Sequence, residues 1–268
     1  MTPTEIRDLL AAHDLRPSKA LGQHFLADPN TAARIVRLAD VGPGANVVEI
    51  GPGIGSLTVA LLDAGVHVHA VELDRHVVPV LAEVTQGRDI EITNADALAI
   101  DWTTLLGAGP WKLVANLPYN VATTIVLRVL ESAPAIERML VMVQREAGER
   151  LAAQVGDAAY GAVSVKVAYR ARAKVVGRVP PTVFLPPPKV DSALVAIARL
   201  AEPAVAVADP DRFWALVNAG FATRRKMLRG ALAGLVDADG FARAAVDPRA
   251  RAETLTLDDW ARLADHAR

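Results

Sequence analysis

The chain has 268 residues, of which 52% are hydrophobic and 22% are charged, and its formal net charge is −1. This length and composition predict a globular protein with a large buried core, organised as one large domain and one small one. The chain has no apolar run of about 18 residues and no charged leader, so we expect neither a membrane span nor a signal peptide, and a cytoplasmic location is favoured. The absence of cysteine excludes a disulfide framework, and no histidine spacing predicts a structural metal.

The first predicted elements are two capped helices joined by a polar segment. Residues 2–5, Thr-Pro-Thr-Glu, form a capping box with proline at the first helical position, which predicts a helix. The segment from Pro17 to Leu26 contains glycine and has no strong period, so we interpret it as a loop anchored by its apolar end. Asp28 and Pro29 then predict a second helix that ends near Asp40.

A glycine-rich turn follows the first apolar run. Val47–Ile50 is predicted to be a buried strand, and the sequence Gly51-Pro52-Gly53-Ile54-Gly55 leads from it into a helix. Such a turn lets the backbone approach a nucleotide-type ligand closely. The pattern is not the dinucleotide fingerprint, because Ser56 stands where that motif has its third glycine. Glu49, just before the turn, favours a ligand with positive charge, and S-adenosylmethionine fits that description.

Polar residues also follow the next predicted strands. Glu72 is placed to accept both ribose hydroxyls of a bound nucleoside, and Asp96 could accept the adenine amino group. An ordinary surface carboxylate at a strand end is the alternative for Glu72. Helix-length intervals between the strands indicate a parallel sheet covered on both faces, whose ligands bind outside the carboxyl ends of the strands. The strands after the glycine turn are predicted at residues 66–71, 89–93, 111–115 and 138–143.

The last third of the chain contains a rigid loop, one strand and a helical tail. Residues 180–189 are the most proline-dense part of the chain and are predicted to form a loop rather than a regular element. Residues 192–200 alternate as a final strand does. Residues 201–211 are interpreted as a linker, and residues 210–268 as helices that pack on the main domain.

The sequence Asn116-Leu117-Pro118-Tyr119 offers hydrogen-bond acceptors and an aromatic ring that suit the methylation of an aromatic amine. An aromatic amine is a poor nucleophile, so methylating it requires acceptors that favour the pyramidal nitrogen and its growing positive charge. The Asn116 carboxamide and the Leu117 carbonyl are two such acceptors, held by the restriction that Pro118 imposes on its neighbour. Tyr119 can stack on the base. A plain Asn-Pro turn is the alternative, which the nearby glycine turn and acidic strand ends disfavour.

These motifs together resemble the rRNA adenine dimethyltransferase family, in its small-subunit branch linked to kasugamycin sensitivity. The resemblance covers nearly the whole chain. It implies dimethylation at N6 of two adjacent adenosines in a hairpin near the 3′ end of small-subunit rRNA, during late assembly of an immature 30S particle. The motifs that carry the resemblance are Leu21-Gly22-Gln23-His24-Phe25-Leu26, Glu49–Gly55, Glu72-Leu73-Asp74, Asn94-Ala95-Asp96-Ala97, Asn116-Leu117-Pro118-Tyr119-Asn120 and Phe184–Ser192.

The resemblance also implies an α/β fold. We expect a Rossmann-like class I methyltransferase domain over residues 1–200, with a mostly parallel seven-stranded sheet, and a small all-α rRNA-contacting domain over residues 201–268. The expected protein is a monomer without metal or membrane contact. One departure concerns His24, where the family often has asparagine. Imidazole can replace one of the amide's contacts but not its donor and acceptor roles at once, which affects the expected cofactor affinity and its pH dependence.

The expected site residues fall into three groups. The expected catalytic residues are Asn116, Leu117, Pro118, Tyr119 and Phe184. The expected S-adenosylmethionine site consists of Gln23, His24, Leu26, Glu49, Gly51, Gly53, Glu72, Leu73, Asp96, Ala97 and Asn116. The expected RNA-binding residues are Arg145, Lys189, Arg224, Arg225, Lys226 and Arg229, within a stretch from Arg145 to Arg229 that has 14 basic and 7 acidic residues.

Phe184 is the only aromatic residue of the proline-rich loop, and we expect it to stack on the base opposite Tyr119; the alternative is a core anchor. Two rival functions remain open. One is a large-subunit rRNA methylase of the macrolide-resistance type, although Phe221–Leu228 resembles the small-subunit branch better. The other is a ribosome-assembly factor whose binding matters more than its catalysis.

Overall fold

The computed structural model describes residues 1–18, 21–223 and 225–267. The chain divides into two compact units, one made of Met1–Gly148 and Lys174–Arg199, the other of Glu149–Ala173 and Leu200–Arg268. The division differs from the one expected at residue 200, because Glu149–Ala173 groups with the second unit. That segment contributes buried residues to the second unit's core, which a sequence boundary drawn at the linker does not reveal.

Seven strands form one mixed, mostly parallel sheet, as expected from the sequence. The strand order is β4-β3-β2-β5-β6-β9-β7. Neighbours from β4 to β6 are parallel, and β9 runs antiparallel to β6. The remaining two strands, β1 and β8, form a separate antiparallel pair. The strands are β1 Phe25–Leu26, β2 Asn46–Ile50, β3 His67–Glu72, β4 Ile90–Asn94, β5 Trp111–Asn116, β6 Ile136–Gln144, β7 Ala171–Val179, β8 Phe184–Leu185 and β9 Ser192–Arg199.

Helices connect the strands and form most of the second unit. The two predicted caps are confirmed: the Thr2 side chain takes part in a capping box, and the Asp28 carboxylate accepts from the first turn of its helix. Thr256 also takes part in a capping box. No helix among the described residues is long and apolar enough to cross a membrane. The helices are α1 Pro3–Ala12, α2 Pro29–Ala39, α3 Ser56–Asp63, α4 Val78–Val84, α5 Trp102–Leu106, α6 Ala122–Ser132, α7 Arg145–Ala152, α8 Ala162–Arg170, α9 Pro210–Ala222, α10 Leu228–Ala231, α11 Ala238–Arg243 and α12 Leu257–Asp265.

Each unit has its own apolar core. In the first unit, the central strands are buried on both faces, so that Val47, Val68 and Val114 are at most 1% exposed. In the second unit, Phe213 and Trp260 are fully buried on α9 and α12. Burial of each such large apolar side chain stabilises the folded state by about 1.5–3 kcal/mol.

The proline-rich loop contains regular structure that the sequence did not reveal. Residues Pro181–Val183 form a 3₁₀ turn, and β8 pairs with β1, with Leu26 opposite Phe184. The Ala27 amide also donates to the Val183 carbonyl at 2.7 Å. A two-residue strand is too short to show a period of two, so only its long-range partner reveals it. Strand β7 was likewise not predicted from its residues, because its exposed and half-buried positions do not alternate clearly.

Candidate active site

A pocket opens where β2, β3 and β5 end, at the edge predicted for ligands. It is lined by the loop before β1, the glycine turn and the residues after β5. Nine of the eleven expected cofactor residues and four of the five expected catalytic residues lie there. The lining residues are Leu21, Gly22, Gln23, His24, Phe25, Leu26, Glu49, Gly51, Pro52, Gly53, Ser56, Leu57, Glu72, Leu73, Asn116, Leu117, Pro118, Tyr119, Asn120 and Val121.

The glycine turn adopts a backbone that other residues rarely accept. Gly51 and Gly53 have φ angles of 69° and 57°. A Cβ atom on Gly53 would lie 2.9 Å from the Phe25 ring, and one on Gly51 would lie 3.4 Å from Pro118. The Gly51 amide donates to the Val71 carbonyl at 2.9 Å. The turn is therefore locked to β3 on one side and packed tightly against the pocket wall on the other.

Glu72 organises this turn from the end of β3. Its two carboxylate oxygens accept from the Gly53 amide at 2.9 Å and the Asp74 amide at 2.8 Å. Burial raises the pKa of Glu72, and these backbone hydrogen bonds partly oppose the rise. A carboxylate has room for more than two hydrogen bonds, so Glu72 can still accept from a ligand hydroxyl. The Asp74 carboxylate in turn accepts from the side-chain amide of Gln23 at 2.8 Å.

Glu49 is the most deeply buried carboxyl group of the pocket. It is 1% exposed at the end of β2. Burial raises the pKa of Glu49 to about 8, the Thr58 hydroxyl lowers it somewhat, and the neighbouring Glu72 charge raises it further. Its Oε2 atom has no hydrogen-bond partner among the described residues. A buried carboxyl in this state favours a cationic group that would stabilise its ionised form.

Asn116 presents an unpaired acceptor to the pocket. Its side-chain amide nitrogen donates to the His24 carbonyl at 3.1 Å. Because a carbonyl only accepts, this contact fixes which end of the amide is the nitrogen. The opposite end, Oδ1, is buried and has no hydrogen-bond partner in the described part of the chain. A buried acceptor without a partner is costly, which indicates that a ligand donor completes it.

The two residues after Asn116 are held by the sheet. The Leu117 amide donates to the Met142 carbonyl at the end of β6, at 3.0 Å. Leu117 follows the last residue of β5 and is 1% exposed. Pro118 packs against the glycine turn at Gly51. These contacts give the turn after β5 a fixed direction.

Tyr119 is half-buried at the pocket wall. Its ring stacks on the His24 imidazole, with centroids 5.5 Å apart and an interplanar angle of 26°. Its hydroxyl lies 2.5 Å from the Ser192 hydroxyl. Burial raises the pKa of Tyr119, so the phenol is neutral at physiological pH. The His24 Nδ1 atom lies 2.8 Å from the Pro186 carbonyl, and since that oxygen only accepts, Nδ1 carries a proton.

Three expected site residues are not brought to the pocket. Phe184 is 3% exposed and packs in the core beside the sheet, so its expected stacking on the base is not supported by its position. The reason is its place on β8, opposite Leu26 of β1. Asp96 is exposed, and its carboxylate accepts from the Leu98 amide, while Ala97 is buried. The sequence showed that Asp96 follows a strand but not how far β4 lies from the centre of the sheet.

Other lining residues were missed as site residues. Phe25 contacts the glycine turn at Gly53, and Ser56, 6% exposed, has a buried hydroxyl without a partner in the described residues. The position of Ser56 at the start of α3, directly after the glycine turn, is the signal that could have identified it. Asp74 belongs to the Glu72-Leu73-Asp74 motif and was named there, but its link to Gln23 is visible only in three dimensions.

The expected RNA-binding residues lie in both units. Arg145 and Lys189 are exposed in the first unit, and Arg225, Lys226 and Arg229 are exposed in the second. Arg224 lies outside the described residues. Among the described residues no three histidine or acidic side chains are grouped as metal ligands.

The sequence matches a known protein family over most of its length. Residues 15–268 match the family described as ribosomal RNA adenine dimethylase. The chain belongs to the ribosomal RNA adenine dimethylase family.

Two of its relatives are each named ribosomal RNA small subunit methyltransferase A. The one from Thermobifida fusca is 48% identical and the alignment covers 99% of this chain and 96% of the relative. The one from Streptomyces griseus is 46% identical, with 98% and 94% covered.

Solved structures of related proteins share the fold. The 23S rRNA methyltransferase ErmE has a TM-score of 0.69 and 29% identity, over 90% of this chain and 98% of that one. A dimethyladenosine transferase from Plasmodium falciparum has a TM-score of 0.75 and 22% identity, over 90% and 96% of the two chains. The expected class of fold, an α/β methyltransferase sheet with a helical C-terminal region, is thereby confirmed.

Proposed function

We propose that this member of the ribosomal RNA adenine dimethylase family transfers methyl groups from S-adenosylmethionine to N6 of adenosines in small-subunit rRNA. The observation that carries the proposal is the buried, unpaired Oδ1 atom of Asn116 at the end of β5. Its place in the Asn-Leu-Pro-Tyr turn suits an aromatic amino group. Relatives at 46–48% identity named for the small subunit support this choice of substrate.

The residues of the pocket suit a sulfonium nucleoside. When bound, S-adenosylmethionine would supply the methyl group. Glu72 can accept from ribose hydroxyls at the carboxyl end of β3. Glu49, buried beside it, would be stabilised in its ionised form by a cationic ligand and would then supply the negative charge opposite that ligand. The closely packed turn at Gly53 leaves no space for a side chain between the ligand and Phe25.

Asn116 and Leu117 would prepare the target nitrogen. Each N6–H bond of adenine needs an acceptor so that the nitrogen lone pair can turn away from the ring. The Asn116 Oδ1 atom is one acceptor, and its orientation is already fixed by the contact with His24. The Leu117 carbonyl is the second, and the preceding peptide is held by the hydrogen bond from the Leu117 amide to the Met142 carbonyl. Such preorganised acceptors lower the barrier without rearranging during the reaction.

We further propose that the substrate is an immature small subunit and that two adjacent adenosines near the 3′ end of its rRNA are dimethylated. The protein would act in the cytoplasm, as a monomer and without a metal ion. The exposed cations Lys189, Arg225, Lys226 and Arg229 would contact phosphates, which position the RNA without reading its sequence. The residues from about 201 onward would supply the rRNA-contacting part.

A large-subunit rRNA methylase is the second candidate, because ErmE is similar at 29% identity. The test is a methyl-transfer assay with labelled S-adenosylmethionine, using small subunits that lack dimethyladenosine and, separately, 23S rRNA. Mass spectrometry then identifies the modified nucleoside. The proposal predicts dimethyladenosine in the small subunit alone. Modification of 23S rRNA alone would favour the second candidate.

The assembly-factor alternative is separated in cells by the variant Asn116→Ala. Asn46→Ala, at the opposite end of β2, is the matched control. If methyl transfer is the main function, cells that carry only Asn116→Ala should show the same defect as cells without the protein. Normal subunit assembly in those cells would favour a function in binding.

A further inference from the structure

The motif Phe184–Ser192 ends at Ser192, a residue that has no role in the chemistry proposed above. Ser192 is 0% exposed and is the first residue of β9. It lies opposite Gln144 at the end of β6. The Arg145 backbone amide donates to the Asp191 carbonyl at 2.9 Å, so the backbone on either side of Ser192 is anchored. Ser192 is thus a fixed point beside the edge of the sheet where the pocket opens.

The Ser192 hydroxyl makes one contact that matters for the pocket. It lies 2.5 Å from the Tyr119 hydroxyl, and this is a contact between a strand and the turn that follows β5. Tyr119 is half-buried and has two ring torsions that could otherwise vary. The stacked His24 imidazole restricts one face of the ring. Ser192 fixes its far end, so the remaining face has a defined direction.

We propose that Ser192 is a positioning residue for methyl transfer, which acts by holding the Tyr119 ring in the orientation that receives the target base. The inference rests on the proposed function, since it assigns Tyr119 the stacking face. A free ring would have to be ordered when the base arrives, and that ordering costs free energy at the step where the base is placed. Ser192 removes this cost before the RNA binds.

Three variants test the proposal through the rate of methyl transfer. Ser192→Ala and Tyr119→Phe each remove one half of the same hydroxyl contact, so each should lower kcat by about 3- to 10-fold. The double variant should be no slower than either single variant, because the contact is lost only once. The Michaelis constant for S-adenosylmethionine should stay at the wild-type value. Ser132→Ala is the matched control, since its hydroxyl donates to the Arg128 carbonyl within α6.

A second measurement does not depend on activity. The chain has three tyrosines, so fluorotyrosine labelling gives three ¹⁹F resonances, and Tyr119→Phe assigns one of them. Ser192→Ala should shift or broaden that resonance and leave the others unchanged. An unchanged Tyr119 resonance, or a double variant whose losses multiply, would overturn the proposal. If wild type were inactive in methyl transfer but Ser192→Ala still shifted the Tyr119 resonance, the proposed function would be overturned, and the contact between Ser192 and Tyr119 would stand.

Discussion

The edge of the sheet at β2, β3 and β5 and the core of the second unit differ in where their unpaired buried polar groups lie: at the sheet edge these groups belong to residues that line the pocket, and in the second unit one of them belongs to Trp260 in the apolar core. At the sheet edge, Glu49, Ser56 and Asn116 each bury a polar atom that has no partner among the described residues. In the second unit, the Tyr160 hydroxyl donates to the Leu255 carbonyl and the Ser164 hydroxyl to the Arg150 carbonyl, whereas the Trp260 Nε1 and Thr223 Oγ1 atoms are buried without a partner among the described residues. Unpaired buried groups are costly in both regions, but those at the sheet edge line a pocket where a ligand can supply the missing partners, whereas Trp260 is surrounded by packed apolar side chains.

The sharpest contrast is expected at Trp260, in the second unit. Trp260 is fully buried and packs so closely on Gly220 that a Cβ atom there would clash with the indole. Trp260→Ala should lower the free energy of unfolding by about 3–5 kcal/mol, because it leaves a large cavity. Urea unfolding measures this. Trp214→Ala, at a partly exposed position, should lower the free energy of unfolding by less. An equal decrease in both variants would contradict the explanation by packing.

Glu49 should make the stability of the protein depend on pH. Its pKa is raised from an ordinary value of 4.5 to about 8, so the folded state holds the proton more tightly than the unfolded state. The stabilisation is fully present below about pH 4.5 and is lost progressively as the pH rises to about 8, by up to about 5 kcal/mol. Burial of Glu72 adds a dependence of the same sign.

Thermal unfolding of Glu49→Gln checks this sign. Between pH 5 and pH 8, the stability of the variant should fall much less than that of wild type. At pH 8 the variant should be more stable than wild type. Glu137→Gln, at an exposed position of β6, is the control. A wild-type pH profile in Glu49→Gln would show that this carboxyl is ionised in the folded protein.

Asn116→Ala should affect chemistry more than stability. Loss of one preorganised acceptor should lower the rate of methyl transfer at saturating cofactor by about 10²- to 10³-fold. The free energy of unfolding should change little, because the variant also removes the unpaired Oδ1 atom. Rates and urea unfolding are compared with those of Asn46→Ala. A fall in cofactor affinity without a fall in rate would make Asn116 a binding residue only.

Glu72→Ala should weaken the binding of S-adenosylmethionine by about 1.5–3 kcal/mol, the range for hydrogen bonds to a charged group. Part of that loss comes through the Gly53 and Asp74 amides, which lose their acceptor. Calorimetry measures the affinity. Asp96→Ala, outside the pocket, should leave it unchanged, and the opposite ranking would move the cofactor toward β4.

Phe184→Leu should have the smallest effect. The structure places Phe184 in the core, so a substitution of similar volume should cost less than about 1.5 kcal/mol and leave the rate near wild type. Phe184→Ala should instead destabilise the protein by about 3–5 kcal/mol. Tyr119→Leu should slow transfer about 5- to 150-fold through lost stacking. A slow but stable Phe184→Leu variant would return Phe184 to the base-binding site.

The difference between Tyr119 and Phe184 also shows what the sequence could predict. Patterns that are local in the chain, such as the cap at Asp28 and the glycine turn after β2, were predicted because local geometry determines them. The parallel sheet followed from the spacing of apolar runs. The pairing of β1 with β8 could not be predicted, since it joins residues about 160 positions apart and decides which way Phe184 points.

The same limit applies to the acidic strand ends. Glu72 is the last residue of β3 and Asp96 follows the end of β4, but β3 lies next to β2 whereas β4 lies at the edge of the sheet. Strand order therefore places Glu72 in the pocket and leaves Asp96 exposed. The chemistry of each residue could be judged from the sequence, whereas its distance from the ligand could not.

The most direct test is the mapping of dimethyladenosine in rRNA from cells that lack this protein, complemented with wild type or with Asn116→Ala. We predict that the small-subunit rRNA of the deficient cells has no dimethyladenosine near its 3′ end, that wild type restores it and that Asn116→Ala does not. Unchanged dimethyladenosine in the deficient cells would contradict the account.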